Sequence, residues 1–434
     1  MLGVGTEGPV GLGAASPAHG RPIRQAPRLV RAVRAMDQAE RDAWAVLATV
    51  DGLGPAAFAI LLAAHGTAAR VMEVARSPRG QRVLADTPPI DAVREAGGAF
   101  LPISDVVAEQ IVRAASESAA VVDRVAELGI HVVTMDDAAY PGRLREIHLP
   151  PAVLFVLGDV AAMSRTRATA VVGTRYASSH GRMTAAHISR ALAASAATVV
   201  SGLATGIDGA AHEATVRAGG ITVAVLGSGL GVISPPSHRR LAEAIVVSGG
   251  ALVSELGPDV HPHRGTFPRR NRLISGLSDA TVVVEAPASS GALLTAGWAL
   301  DQGRACYVVP GPIDAPNSAG CLSFLRQFHG EARIVTGVPQ LIADLGYAGD
   351  PEADRRRPIA ATLQLLGGTE ARVADAILAG RATVDELVAV TGLTVATVLA
   401  TLTLLERQGL IVGAYGRYRP AGSLLEAPVV PERR

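Results

Sequence analysis

Three arginines and an asparagine stand side by side in the run Phe-Pro-Arg-Arg-Asn-Arg-Leu-Ile-Ser-Gly-Leu-Ser, residues 267–278. Guanidinium groups present planar N–H forks that match phosphate oxygens, so a convergent set of them binds phosphate. Pro268 presets the dihedral angle of a first helical turn. The pattern therefore predicts that Arg269, Arg270, Asn271 and Arg272 open a helix, where free backbone N–H groups add to the positive end. A short basic run is also what a solvated surface carries, so the cluster has to be weighed with its neighbours.

Gly173-Thr174-Arg175 closes an apolar run with a tight turn, and Tyr176 sets an aromatic ring beside an arginine in a chain that is only 3% aromatic. Such a ring either stacks on a base or packs against the next helix. In Ser-Gly-Leu-Ala-Thr-Gly-Ile-Asp-Gly-Ala-Ala-His, residues 201–212, Ser201, Gly202 and Gly206 form a glycine-rich turn opening a helix, whose amides can cradle an anion. Asp208 and His212, four apart, could be drawn as a metal pair or, with Ser201, as a hydrolytic triad. A third ligand is missing and both lie early in one helix, so a supporting role is expected, with Asp208 capping or orienting the loop. Glu285 ends a strand and is expected to hold Arg270 or Arg272 in a bidentate ion pair. Ser290, Gly291 and Thr295 begin the following helix. Gly227-Ser-Gly-Leu-Gly231 departs from the dinucleotide-binding spacing, and Pro235 and Pro236 interrupt the helix it would need. His261 and His263 read as a loop leading into the arginine run. No catalytic residue, cofactor or metal is expected.

Six segments occur in a fixed order: Val-Val-Gly-Thr-Arg (171–175), the 201–212 run, Phe-Pro-Arg-Arg-Asn-Arg (267–272), Val-Val-Glu-Ala (283–286), Ser-Gly-Ala-Leu-Leu-Thr-Ala (290–296) and Val-Pro-Gly (309–311). Together with Tyr140-Pro141 and the stretch 150–159 upstream, they resemble the DNA-processing protein A family, also called Smf, over residues 120–346. The resemblance implies a non-catalytic protein that binds single-stranded DNA, protects incoming strands in natural transformation and recombination, and helps load the RecA recombinase. It also implies a homodimer formed through a Rossmann domain. Carried onto this chain, the DNA contacts fall at Gly173, Thr174, Arg175, Tyr176, Ser201, Gly202, Gly206, Arg269, Arg270, Asn271, Arg272, Ser290, Gly291 and Thr295. Asp208, His212 and Glu285 support them. One departure is Leu322, which follows Gly320-Cys321 where the family usually has asparagine. The alternative is a nucleotide-binding or phosphoribohydrolase-like enzyme of the same Rossmann subtype. Those enzymes resemble one another in a Pro-Gly-Gly-x-Gly-Thr-x-x-Glu loop; Ser-Ser-Gly-Ala-Leu-Leu-Thr, residues 289–295, stands here without the catalytic carboxylate.

These residues need elements to hold them. Short Val-rich runs at 168–172, 197–201, 222–226, 251–255, 281–285 and 306–309 alternate with helical segments such as 181–194 and 292–300, the pattern of a doubly wound parallel sheet of Rossmann type. Its groove should lie beyond the carboxyl ends of the strands, where the motif loops fall. The division expected is a disordered leader (1–35), a helical domain (36–120), the Rossmann-like core (121–346), a linker (347–358), a winged-helix-like domain (359–423) and a tail (424–434). In the helical domain, Val-Asp-Gly-Leu-Gly-Pro (50–55) resembles a helix-hairpin-helix or sterile-alpha-motif unit, used either for packing and protein contact or for DNA. In the winged-helix-like part, helices near 372–378, 384–390 and 394–408 precede wing strands at 411–414 and 417–420. The third helix begins with Thr394, Val395 and Thr397 and carries only Arg407 as a basic residue, which favours partner or self contact over reading a groove.

The 434 residues contain no lysine, so all 40 basic residues are arginine, and Schiff-base and P-loop lysines are excluded. A net charge of +1 exerts no global pull on nucleic acid, so affinity has to come from locally arranged arginines. Arg21, Arg24, Arg28, Arg31 and Arg34 of the leader could touch DNA, although a solvated tail is the reading expected. Cys306 and Cys321 are too few for a disulfide framework. No apolar run reaches the ~18–20 residues of a membrane span, and no secretory pattern opens the chain, so a cytoplasmic protein without a membrane partner is expected.

Overall fold

The computed structural model describes residues 36–88, 103–263, 265–348, 366–408, 410–414 and 417–420, with Leu363 and Leu424. The expected leader (1–35), most of the linker and nearly all of the tail lie outside the described residues. A nine-stranded sheet organises the rest, built from β1 (His131–Thr134), β2 (Val153–Gly158), β3 (Ala168–Val172), β4 (Thr198–Ser201), β5 (Thr222–Val225), β6 (Ala251–Ser254), β7 (Ala280–Val283), β8 (Ala305–Val308) and β9 (Ala332–Ile334). Its order is β1-β2-β6-β5-β4-β3-β7-β8-β9. From β6 to β9 every neighbouring pair is parallel, whereas β2 runs antiparallel to β6 and β1 antiparallel to β2. The chain steps outward from β3 to β6 and then returns to lay β7 on the other side of β3. That reversal creates a topological switch point between β3 and β7, and the loops leaving these two strands diverge there.

Alternation along the strands sends successive side chains to opposite faces. On one face Ala170, Val172, Val223, Val225 and Val283 pack with Leu273 and Ile274 of the Thr266–Gly276 helix and with Ala292, Ala296 and Ala299 of the Gly291–Asp301 helix. On the other, Val171, Val199 and Val282 meet Ala185, Ile188 and Leu192 of the Ser179–Ala194 helix and Ile207 and Ala211 of the Ile207–Arg217 helix. Beyond those helices the Arg239–Val247 helix covers the same face over β5, β6 and β2. The N-terminal helices close around it: Trp44, Leu47, Phe58, Leu61 and Ile111 share one core with Phe155, Ala224, Leu226 and Leu252 of the sheet and with Ile245 of that helix. The helical segment is thus a layer of the α/β core, tied down further by Arg41 to Asp137 at 2.7 Å. The 50–55 turn is part of this packing, with Val50 and Leu53 buried.

Near the C-terminus, helices Gly368–Leu378, Val384–Thr391 and Val395–Arg407 and the hairpin of β10 (Ile411–Ala414) with β11 (Arg417–Pro420) form a winged helix. Its core of Val373, Ile377, Leu387, Val398, Leu402 and Ile411 is its own. Thr383 and Glu386 form a reciprocal capping box at the second helix, and Gly392 ends that helix in the left-handed region. No single helix among the described residues is long and apolar enough to cross a membrane.

Candidate nucleic-acid interface

The loop after β3 lies at the switch point. The Thr174 amide donates to the Glu285 carbonyl at 2.7 Å, which staples the loop to the end of β7. The Thr174 hydroxyl is buried and accepts the Tyr176 amide at 3.2 Å, so it shapes the turn and is withheld from a ligand. Beyond it the chain turns outward. Arg175 is exposed, its guanidinium 4.8 Å from the centroid of the Phe267 ring, and Tyr176 is 89% exposed. A guanidinium resting on an aromatic face keeps its N–H edges free for an anion while losing much of its rotational freedom beforehand. Phe267 was part of the sequence motif, but its role as this platform was not legible there.

The arginine run does not converge as expected. The helix begins at Thr266, ahead of Pro268, so the arginines fall at its fourth, fifth and seventh positions, not all in its first turn. Its first amides are also largely spent: Gly265 donates to His263 Nδ1, Thr266 donates to the His263 carbonyl, and Pro268 has no N–H. Arg269 is the outward member, with 51% of its side chain exposed and its Nε 3.2 Å from Glu255 Oε1. Arg272 is buried, bonded to the other Glu255 oxygen and to the Leu149 carbonyl at 2.9 Å. Burial pulls its pKa down while Glu255 opposes the shift. Asn271 spans to the Gly291 carbonyl at 3.1 Å.

Arg270 is a core residue. Its guanidinium donates to the Gly202 carbonyl at 2.8 Å and to the Val225 carbonyl, joining the loops after β4 and β5. Burial lowers its pKa to about 10, against the pull of Asp208, which leaves it charged at neutral pH. Asp208 accepts the Gly202 amide at 3.0 Å. Burial pushes its carboxyl upward, opposed by Arg270 and by the loop amides. Gly202 is required here, because a Cβ would run into the Arg270 guanidinium, and Gly206, at φ 82°, would drive one into the Thr174 carbonyl.

Glu285 is corrected outright. It pairs with neither arginine; its carboxylate accepts the Ser178 amide at 2.9 Å, the Ser178 hydroxyl at 2.5 Å and the Asn317 side-chain amide at 3.3 Å. The acid serving the arginine helix is Glu255, from the end of β6. Asn317 also donates to the Tyr176 carbonyl at 3.0 Å, so an asparagine reaches this loop from five positions before Leu322.

The remaining expected residues are structural in place. The Ser201 hydroxyl donates to the Val171 carbonyl at 2.6 Å, and His212 Nδ1 lies 2.7 Å from the Thr222 hydroxyl. Their hydrogen bonds go elsewhere than to each other. Burial lowers the His212 pKa to about 3. Thr295 is buried, Ser290 caps its helix through the Ala292 amide at 3.3 Å, and Gly291 stands exposed at the rim. No group of three metal-binding side chains occurs among the described residues. Of the proposed contacts, then, Arg175, Tyr176, Arg269, Asn271 and the Ser290–Gly291 turn reach the surface. Gly202, Gly206, Arg270 and Asp208 form the scaffold beneath.

A doubly wound sheet whose switch-point rim carries exposed arginines and an aromatic ring, followed by a winged helix, defines a protein of the DNA-processing class. The chain belongs to the DNA-processing protein A (DprA/Smf) family. Residues 131–346 match the profile described as DNA recombination-mediator protein A, and residues 357–417 match the DprA winged helix domain. A DNA processing protein DprA of Mycobacterium tuberculosis is 40% identical over 304 residues, covering 67% of this chain and 77% of that one. The Bacillus subtilis DNA processing protein DprA is 38% identical over 201 residues, 46% of this chain and 67% of its own. The X-ray structure of DprA from Streptococcus pneumoniae aligns with a TM-score of 0.54 at 28% identity, over 71% of this chain and 98% of that one.

Proposed function

We propose that this chain binds single-stranded DNA without chemistry, as a recombination mediator that shields incoming strands and hands them to the RecA recombinase. The observation that carries this reading is the switch-point rim. Arg175 on Phe267 and Arg269 on Glu255 offer two pre-oriented cations, and the exposed Tyr176 ring stands between the strand loop and solvent. Phosphates take the guanidinium groups and a base stacks on the tyrosine, an interaction worth ~1–3 kcal/mol per base in single-strand binders. A rigid duplex hides its base faces, so the ring favours an unpaired strand. A role without catalysis is supported by the way Ser201, Asp208 and His212 are committed to bonds within the fold, to strand β3, the loop after β4 and strand β5 in turn. RecA loading, a homodimer built through the Rossmann core and a cytoplasmic setting are part of the same proposal, which the resemblance to the family supports. Anisotropy titrations of one oligonucleotide, single-stranded and as a blunt duplex, test the reading at moderate salt. Much tighter binding of the single strand is expected, and equal affinity contradicts it.

A further inference from the structure

A groove of about 420 Å³ runs between the Ser179–Ala194 and Ile207–Arg217 helices. It starts directly below the candidate interface, because the loops that lead into these helices touch: the Ile207 amide donates to the Thr174 carbonyl and the Thr205 hydroxyl to the Arg175 carbonyl. Small side chains, among them Ala186 and Ala214, form its floor. Its walls carry Arg182, Met183 and Arg190 on one helix and Glu213 and Arg217 on the other.

We infer that this groove is a second subsite for the same nucleic acid, a track that takes the sugar-phosphate backbone of a strand continuing away from Arg175 and Tyr176; it rests on the single-strand reading above. The residues on each wall recur at three- and four-residue spacing, so each set forms one stripe facing the groove. Arg182 is anchored by hydrogen bonds to the Ala177 carbonyl and the Ser179 hydroxyl at the groove's upper end. Arg190 is exposed at the far end and meets no carboxylate among the described residues. Glu213, the one acid on the walls, is already engaged by Arg217 at 3.4 Å. In a chain of net charge +1, this leaves a local excess of positive charge beside the interface. Met183, 63% exposed next to Arg182, offers a polarisable thioether to a base face. From Ser179 to Arg190 the helix rises ~16 Å, enough for about three to five further nucleotides at strand spacings of 3.4 Å or somewhat more.

The test uses the full chain and the double variant Arg190→Ala/Arg217→Ala, both positions being exposed and outside the central loops. Binding of a six-nucleotide and a twenty-nucleotide oligothymidylate is followed by anisotropy across a salt series. The wild type should bind the longer strand better by more than the statistical gain in sites. The variant should keep its affinity for the short strand within about twofold, lose at least fivefold on the long one, and show a salt slope shallower by ~1.4, or ~0.7 per lost phosphate contact. Arg190→Lys/Arg217→Lys should restore most of the loss. Unchanged binding at both lengths, or an equal loss at both, overturns the inference. A wild type that binds neither strand overturns the single-strand reading itself, which separates the two failures.

Discussion

Adjacent arginines in one motif do different work, decided by which way each side chain leaves the helix. Successive residues turn by about 100°, so Arg269 and Arg272 lie near one another and share Glu255, while Arg270 points away into the loops after β4 and β5. Arg270→Ala is therefore expected to unfold the protein more readily instead of merely weakening a DNA contact. It leaves the buried Gly202 and Val225 carbonyls without their donor, at a cost of about 1–3 kcal/mol for each unsatisfied group. Chemical denaturation checks this, and an unchanged midpoint contradicts it. His212 carries a pH signature. Burial holds its folded pKa near 3, below the ordinary 6.5, so its contribution is complete above pH 6.5 and is lost as pH falls towards 3. In that window it removes about 1.4 kcal/mol per pH unit. Replacing His212 with Gln should flatten stability against pH below 6.5 by about one proton, as read from melts between pH 4 and 7.

At the scale of elements, the strands from β3 to β8 are each legible within a residue or so, because buried parallel strands are short Val-rich runs closed by Gly, Glu or Pro. The outer strands β1, β2 and β9 are not legible as strands: β1 and β2 run antiparallel and stand outside the strand–helix alternation of the parallel core, and Ala-Arg-Ile has only three residues. The partner of the arginine helix was misassigned for a similar reason. Both Glu255 and Glu285 end strands, and only the sheet order shows that β6, not β7, brings its acid to Arg269 and Arg272. The winged helix is legible down to its wing strands, since its second and third helices carry threonine caps and each of its helices buries an apolar stripe. Val395 and Leu399 are exposed on its third helix and Arg407 lies in the last turn, away from the end that would enter a groove. Deleting residues 360–420 should therefore spare single-strand affinity. An anisotropy loss beyond about a hundredfold, ~2.7 kcal/mol, would place a principal DNA surface in that module.

Over the whole molecule, one sheet face is closed by its own crossover helices and by the N-terminal helical layer, the other by the helices that follow β6 and β7. The rim where the strand order reverses is left open, and it is there that we propose the strand binds. Sequence placed these loops there, yet did not separate residues that face outward from those that brace the rim, because that division depends on contacts between segments roughly 70 to 110 residues apart, as with Arg270 on Gly202 and Thr174 on Glu285. The central claim is that Arg175 and Arg269 are the phosphate-facing pair. The most direct measurement is a salt series of single-strand binding by the wild type and by Arg175→Ala/Arg269→Ala, with circular dichroism to establish that both are folded. The account predicts an affinity lower by about 3 kcal/mol or more, from two charge-assisted contacts, and a salt slope shallower by ~1.4. A folded double variant with the wild-type affinity and slope would contradict it.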